Sequence, residues 1–593
     1  MHKLKLALIA STLILSAGAS QAEDLVFTLK NLDLAEVAGL REHDYKLAEE
    51  FENAPASFED ALDNYLRVLD VVGEICGDRI EPRSRTVDAE GPHFANGKVT
   101  YHPLTVQNLK DLEQAGVMGV MLEHRFGGLN FPVSVYTMMT EMVSRADGSL
   151  QNIFGLQDIA ETISFFGSEE QKQKYLPGFA SGEFDGSMDL TEPDFGSDLQ
   201  AVRLRAWQDE KTGQWYLNGM KRFITNGCAQ VHLVLARSEE GTSDGRGLSM
   251  FIAEKCPQLI VRRIENKLGI HGVATCELQY NDVPAQLCGK RRFGLIKYVM
   301  SLMNGARVAI SGQAVGIAEA AYREARKYAS ERMQFKKSID QFPAIYDMLS
   351  SMKVRLTAAR ALLYETTRIV DLRNGYTELV EKGGEISADV RAKQKYYSKV
   401  AAVLTPMCKA LATEMANKVT YDAIQIHGGT GFMKDFNVER FYRDARITNI
   451  YEGTTQLQVV AAIGGVIQRD NDERINELAS IEFHGKLARL RDTLMALHAR
   501  QLDAVKFVAE KKDHAYHDLM ARSLVEMETY VFVGLLLLRD AMKCEDRVAI
   551  AERWVLDAVP EFETRYMRVM SGDVTLIDRS EERRVGKECR SRW

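Results

Sequence analysis

The chain of 593 residues is 46% hydrophobic and 27% charged, with a formal net charge of -8 and a pI near 6.0. That length allows more than one hydrophobic core, and the mild acidic balance offers no basic excess to mark nucleic acid as the partner. The eight cysteines stand apart, with no C-x-x-C pair and no His/Cys ligand spacing, which reads as reduced thiols and predicts neither a disulfide framework nor a metal.

Residues 1–22 carry Lys3 and Lys5, a mostly apolar run from Leu6 to Leu15, and then Ala19-Ser20-Gln21-Ala22. That order reads as a secretory signal, with a misassigned start or a joined fragment as the alternative. Residues 23–53 are polar and predict irregular chain. From Phe58, the positions Leu62, Tyr65, Leu66, Val68, Leu69, Val72 and Ile75 recur at helical spacing. An amphipathic helix is expected there, with others to about Phe184, including 109–115 and 135–145. Ser168 ahead of Glu169-Glu170-Gln171 predicts a capped helix start. Near Ser187 short β-rich runs take over, at 215–217, 231–236, 248–253, 259–264 and 276–280. Asn218-Gly219, Asn226-Gly227 and residues 245–247 mark turns between them. From about Phe293 long helical patterns return over 299–331, 342–372 and 388–426, and Gly428-Gly429-Thr430-Gly431 interrupts them. A last helical block covers 481–568; its apolar run 530–538 is too short to span a bilayer and predicts a buried helix. Residues 579–593 resemble a translated sequencing adapter and are excluded from the fold. The expected division is a signal-like segment at 1–22, an N-terminal helical domain at 23–186, a middle β domain at 187–290, a helical bundle at 291–465 and a helical extension at 466–578.

The stretch Ile450-Tyr451-Glu452-Gly453-Thr454-Thr455-Gln456 sets one acid among apolar and small neighbours. Desolvation by Tyr451 and Ile450 would make Glu452 a better base, and Gly453 lets a ligand approach the backbone. Alone, the heptapeptide reads as a surface turn; its companions change that reading. Leu190-Thr191-Glu192-Pro193-Asp194-Phe195-Gly196-Ser197-Asp198 offers hydroxyls and backbone amides that suit an anion or a polar heterocycle, or a plain capped turn. Lys221-Arg222-Phe223-Ile224-Thr225-Asn226-Gly227 presents an aromatic and a hydroxyl two residues apart, able to shelve a flat ring or to serve as a core strand. Arg332, in Glu331-Arg332-Met333-Gln334-Phe335, could clamp a phosphate or cap its own helix. Gln425-Ile426-His427-Gly428-Gly429 allows a close backbone approach, and His427 reads as structural. No G-x-G-x-x-G follows a strand and no H-E-x-x-H occurs. Residues 241–245 match the letters of G-x-S-x-G but lie in a polar loop with no helix after it, and so read as a turn.

Together and in this order, across helical, β and helical blocks, these motifs resemble the acyl-CoA dehydrogenase family over about residues 58–465, in a larger subgroup with an added helical C-terminal region. The resemblance implies a mainly α fold: an N-terminal helical domain, a middle β-barrel or sandwich, a C-terminal four-helix bundle and the extra helical region. It implies an FAD enzyme that dehydrogenates an acyl-CoA between its α and β carbons and passes electrons to an electron-transferring flavoprotein, in a homodimer or homotetramer. Met188, Leu190, Thr191, Gly196 and Ser197 would hold the flavin, Ser197 also nearing the thioester; Phe223, Ile224 and Thr225 would lie against the ring. Most relatives have tryptophan where this chain has Phe223. Arg332, Phe335, Gln425, Gly428 and Gly429 would reach the adenine half of the FAD of a neighbouring subunit, and Thr454 and Gln456 would contact FAD near the base. Asn304, Arg307 and Gly453 match substrate-binding positions, with aspartate usual in place of Asn304. Glu452 matches the catalytic base; the alternative position used by some members is Ala306, which accepts no proton. An acyl-CoA oxidase would share most of these residues. A nucleic-acid-binding relative of the alkylation-response type would want a basic C-terminal region, whereas 481–568 interleaves acids with Lys and Arg. Membrane association through those helices occurs in long-chain relatives. The family's intracellular substrate places the enzyme in the cytoplasm, against the export suggested by residues 1–22.

Overall fold

A computed structural model describes residues 19–383 and 386–578; most of the signal-like segment and the adapter-like tail lie outside them. The N-terminal helices include α1 (Ala19–Asn31), α2 (Ala35–Arg41), α3 (Phe58–Glu74), α4 (Pro103–Gln114), α5 (Val133–Ala146), α6 (Gln157–Phe166) and α7 (Glu169–Ser181). The start of α7 is a full capping box, with Ser168 Oγ accepting from the Gln171 N–H and the Gln171 side chain accepting from the Ser168 N–H, so two orphan donors are satisfied at once.

The expectation of irregular chain over 23–53 is corrected by α1, α2 and a short 3-10 turn at Lys46–Glu49. Leu25, Leu29, Leu32, Leu34, Val37 and Ala38 are all buried. Leu25 and Leu29, one turn apart on α1, continue into Leu32 as an apolar stripe that the flanking Asp24, Lys30 and Asp33 disguise. Asp24 on α1 pairs with Arg360, Lys353 and Arg547, far along the chain.

The β domain contains β1 (Gly186–Asp189), β2 (Arg205–Gln208), β3 (Trp215–Thr225), β4 (Val231–Arg237), β5 (Leu248–Glu254), β6 (Leu259–Ile264) and β7 (Thr275–Cys288). The order β1-β4-β2-β3-β7-β5 closes on itself because β4 also pairs with β5, and β6 lines up along β7. Closure removes the exposed sheet edge. Asn218-Gly219 is not a turn but lies inside β3, where the register against β7 shifts at Leu217/Asn218. The pair marks a bulge, which draws on the same residue types as a turn. A second shift falls between Lys221 and Ile224, and Phe223 there has φ 61°.

Three long helices follow, α8 (Met300–Glu331), α9 (Pro343–Lys382) and α10 (Ala388–His427), then α11 (Val438–Thr448) and α12 (Thr455–Gln468). α10 packs against α8, α9 and α12, and α8 also packs on α5 of the N-terminal domain. The extension is α13 (Asp472–Ala479), α14 (Gly485–Lys511), α15 (His514–Ala541) and α16 (Asp546–Met570). Residues 531–538 of α15 are all buried, as expected of a helix that is apolar on every side; α15 packs on α9 and α12. No described helix is long and apolar enough to cross a membrane.

Polar pairs inside the core set how these layers meet. Arg360 of α9, 3% exposed, donates to Glu141 of α5, Glu319 of α8 and Asp24 of α1. Burial alone raises the Glu319 carboxyl, but Arg360 and Arg323 outweigh it and hold it down at about 2. A carboxyl depressed in the folded state adds stability above its unfolded value of 4.5, and that share is lost as pH falls toward 2. Replacing Arg360→Leu leaves buried carboxylates without their cation and is expected to lower unfolding stability by about 3–5 kcal/mol, read as a fall in urea midpoint at unchanged slope.

Candidate active site

Between the β barrel and the helices lies a cavity of about 950 Å³, at the upper end of the usual size for a small-molecule site. One wall is Met188, Leu190, Thr191, Gly196 and Ser197 together with Phe223, Ile224 and Thr225; the facing wall includes Arg307, Ile450, Tyr451, Glu452, Gly453 and Thr454. Regular pleating would turn Ile224 away from its two neighbours. Ile224 is 2% exposed and packs in the barrel core, and at the bulge it borders the cavity between Phe223 and Thr225. Phe223 is 51% exposed, and the Arg222 guanidinium stacks on its ring.

Glu452 sits in the turn between α11 and α12, at φ 53°, a left-handed conformation that is uncommon for a residue with a side chain. Gly453, at φ 89°, continues the turn where a side chain would be strained. Two buried side chains hold it. Lys409 Nζ on α10 donates to the carbonyls of Thr448 (3.1 Å) and Gly453 (2.8 Å). Gln458 Nε2 on α12 donates to those of Glu452 (3.1 Å) and Gly453 (2.8 Å). Thr454 N-caps α12 by accepting from the Leu457 N–H, and the Tyr451 hydroxyl donates to Gln313 Oε1. Among the described residues, the Glu452 N–H donates to no protein acceptor.

Burial raises the Glu452 carboxyl above its ordinary value, with the Lys409 and Arg307 charges acting the other way. Burial pulls the Lys409 ammonium down to about 8 against the pull of Glu452. Glu452 therefore holds its proton more firmly than a surface acid, with two cations opposing that effect. Such a group can take a proton from a weak carbon acid.

Other sequence-selected residues lie apart from this cavity. Asn304 does not line it but accepts from Arg307 Nη1 at 3.2 Å. Gln456 is exposed at the start of α12. Arg332, Phe335, Gln425, Gly428 and Gly429 are exposed where α8 and α10 end, away from the cavity of their own chain. His427 is structural: its Nδ1 donates to the Ala423 carbonyl and its ring stacks on Tyr328. Sequence reading missed Lys409, Gln458, Gln313 and Asp158, a buried acid in the cavity wall. Each lies on a helix that carries other polar residues, and no local pattern distinguishes it from them.

The residues present fit FAD. The β wall combines an exposed aromatic, two aliphatic side chains and the hydroxyls of Thr191, Ser197 and Thr225 beside the Gly196 backbone. A flat ring system with polar edges requires that set.

Family models match the chain in sequence: acyl-CoA dehydrogenase N-terminal domain over residues 63–183, middle domain over 187–283, C-terminal domain over 296–463, and a further acyl-CoA dehydrogenase C-terminal model over 471–555. The chain is 32% identical to 3-methylmercaptopropionyl-CoA dehydrogenase of Ruegeria pomeroyi over 76% of its own length and 79% of that protein. It is 29% identical to butyryl-CoA dehydrogenase from Megasphaera elsdenii (TM-score 0.59, covering 68% of this chain and 98% of that one). The fold extends further in an acyl-CoA dehydrogenase complexed with FAD from Bacillus anthracis, 24% identical with TM-score 0.73 over 85% of this chain and 88% of that one. A turn that presents an acid to a ring-sized shelf, and four family models following one another from residue 63 to residue 555, together show that this chain belongs to the FAD-dependent acyl-CoA dehydrogenase family.

Proposed function

We propose that the protein oxidises an acyl-CoA thioester to the trans-2-enoyl-CoA, with Glu452 as the base. The observation that carries this reading is the Glu452 carboxyl set in the cavity wall opposite the Phe223–Thr225 shelf, with its own N–H free of protein acceptors.

Bound FAD supplies the hydride acceptor for the β-hydrogen. The Glu452 carboxylate takes the α-proton. The Glu452 N–H is available to the thioester oxygen, where negative charge develops; one such donor is typically worth roughly 3 kcal/mol. Tyr451 and Ile450 line the same cavity as the carboxyl. Gln458 and Lys409 fix the turn through its carbonyls, so the base need not reorganise as charge moves. The Arg307 and Lys409 charges oppose the effect of burial on the carboxyl. Met188 to Ser197 would border the flavin, with Ser197 also toward the thioester, and Thr454 would border it from the base side.

The exposed cluster of Arg332, Phe335, Gln425, Gly428 and Gly429 suits the adenine half of a cofactor bound by a neighbouring copy, which favours a homodimer or homotetramer; Gln456 belongs to the same proposal. Electrons would leave to an electron-transferring flavoprotein, and an intracellular thioester substrate favours the cytoplasm.

Glu452→Gln is expected to retain FAD and lose flavin bleaching by acyl-CoA by about a hundred- to ten-thousandfold; bleaching at the wild-type rate would remove Glu452 from the role. Lys409→Met takes a positive charge away from the base, so Glu452 binds its proton more tightly. The ascending limb of kcat/KM against pH should move to higher pH. Two buried carbonyls lose their donor as well, for about 1–3 kcal/mol of stability. A limb that stays in place would show that Lys409 only supports the turn.

A further inference from the structure

A small chamber of about 30 Å³ adjoins the main cavity, and Asp158 and Ala309 line both. Asp158 and Glu161, one turn apart on α6, converge across it above Gly305 of α8. A Cβ on Gly305 would stand 4.0 Å from Asp158 Oδ2 and 3.8 Å from Glu161 Oε2. Asp158 is 8% exposed, and among the described residues neither carboxyl makes a hydrogen bond or a salt bridge with the protein. The cation closest in the chamber, Arg373, directs Nε and Nη2 to Asn374 instead. Two further polar groups around the acids lack partners. Thr137 Oγ1, fully buried, belongs to the chamber wall, and Gln151 Oε1, on a residue 3% exposed, belongs to the cavity wall beside Asp158.

Buried hydroxyls and amides without partners are unfavourable, and two acids facing one space cannot both ionise freely. Burial raises both Asp158 and Glu161; the charges of Glu161 and Glu452 raise Asp158 further, whereas Arg41 and Arg373 pull Glu161 down and Asp371 pushes it up. One acid with its proton and one carboxylate or amide oxygen make a donor and an acceptor side by side. An alkyl chain end satisfies neither.

We infer that Asp158 and Glu161, with Thr137 and Gln151, form a polar subsite for a hydroxyl carried on the substrate's acyl chain beyond the reacting carbons. A hydroxyl is donor and acceptor at once and fits the volume, which holds about one water-sized group. The inference deepens the acyl-CoA reading and rests on it. It assigns the enzyme a hydroxylated acyl chain in preference to a plain saturated one.

The test compares ω-hydroxyacyl-CoAs with methyl-terminated acyl-CoAs of matched length, from four to ten carbons, on the FAD-loaded protein. The expected result is that at one length the hydroxyl substrate exceeds its methyl counterpart by roughly ten- to a hundredfold in kcat/KM, the range for a hydrogen bond involving an acid. Asp158→Leu should remove that preference or reverse it. Calorimetric binding of the same pairs to the FAD-loaded Glu452→Gln protein gives the preference without turnover. If no acyl-CoA bleaches the flavin, the dehydrogenase reading fails, while the calorimetric preference still decides the subsite. Equal or better binding of the methyl-terminated chain at every length overturns the inference, since the acids would then be bridged by water alone. So would a hydroxyl preference that persists undiminished in a folded Asp158→Leu protein.

Discussion

The site depends on one strained turn being held still. Glu452 adopts a left-handed backbone, which costs about 1–3 kcal/mol for a residue with a side chain, and it carries a carboxyl that burial disfavours in its charged form. Neither would persist on an isolated loop. Lys409 and Gln458, from two different helices, each donate to two backbone carbonyls of the turn, so the conformation is fixed by hydrogen bonds rather than by the turn's own preference. Lys409 has a second effect, because its charge offsets part of the desolvation of the acid. Position and proton affinity thus share one support.

The opposite wall uses a different device. A barrel strand offers alternate side chains to one face, which suits a core better than a continuous shelf. At the register shift between Lys221 and Ile224 the strand sets the exposed Phe223 ring and the Thr225 hydroxyl on the cavity, with Ile224 anchored in the barrel core between them. The helices therefore contribute an acid with a tuned charge, and the barrel contributes an extended surface. Neither domain has a complete site alone.

Much of this was legible in the chain. Glycine and aromatic clusters in loops, such as Gly453 after Glu452 or Phe223 before Thr225, mark themselves by composition, and the change from helical to alternating texture near Ser187 follows from period alone. What escaped has a common cause. Lys409, Gln458 and Asp158 are interior polar residues of helices, and only the packing of α10, α12 and α6 gives them neighbours. Asn218-Gly219 misled because a bulge and a turn use the same residues. Residues 23–53 misled because the charged residues around Leu25, Leu29 and Leu32, namely Glu23, Asp24, Lys30 and Asp33, lower the mean hydropathy while leaving the buried stripe intact.

The C-terminal extension is joined to the bundle by ionic contacts under cover. Glu365 on α9, fully buried, receives Arg474 from α13 and Arg539 from α15, and Asp24 spans Arg360 and Arg547. Undocking the extension would strand those charges in the interior, so heating should not peel it away first. Calorimetry of the whole chain should find the extension and the bundle melting in a shared cooperative transition, and a truncation near residue 470 should leave a bundle prone to aggregate.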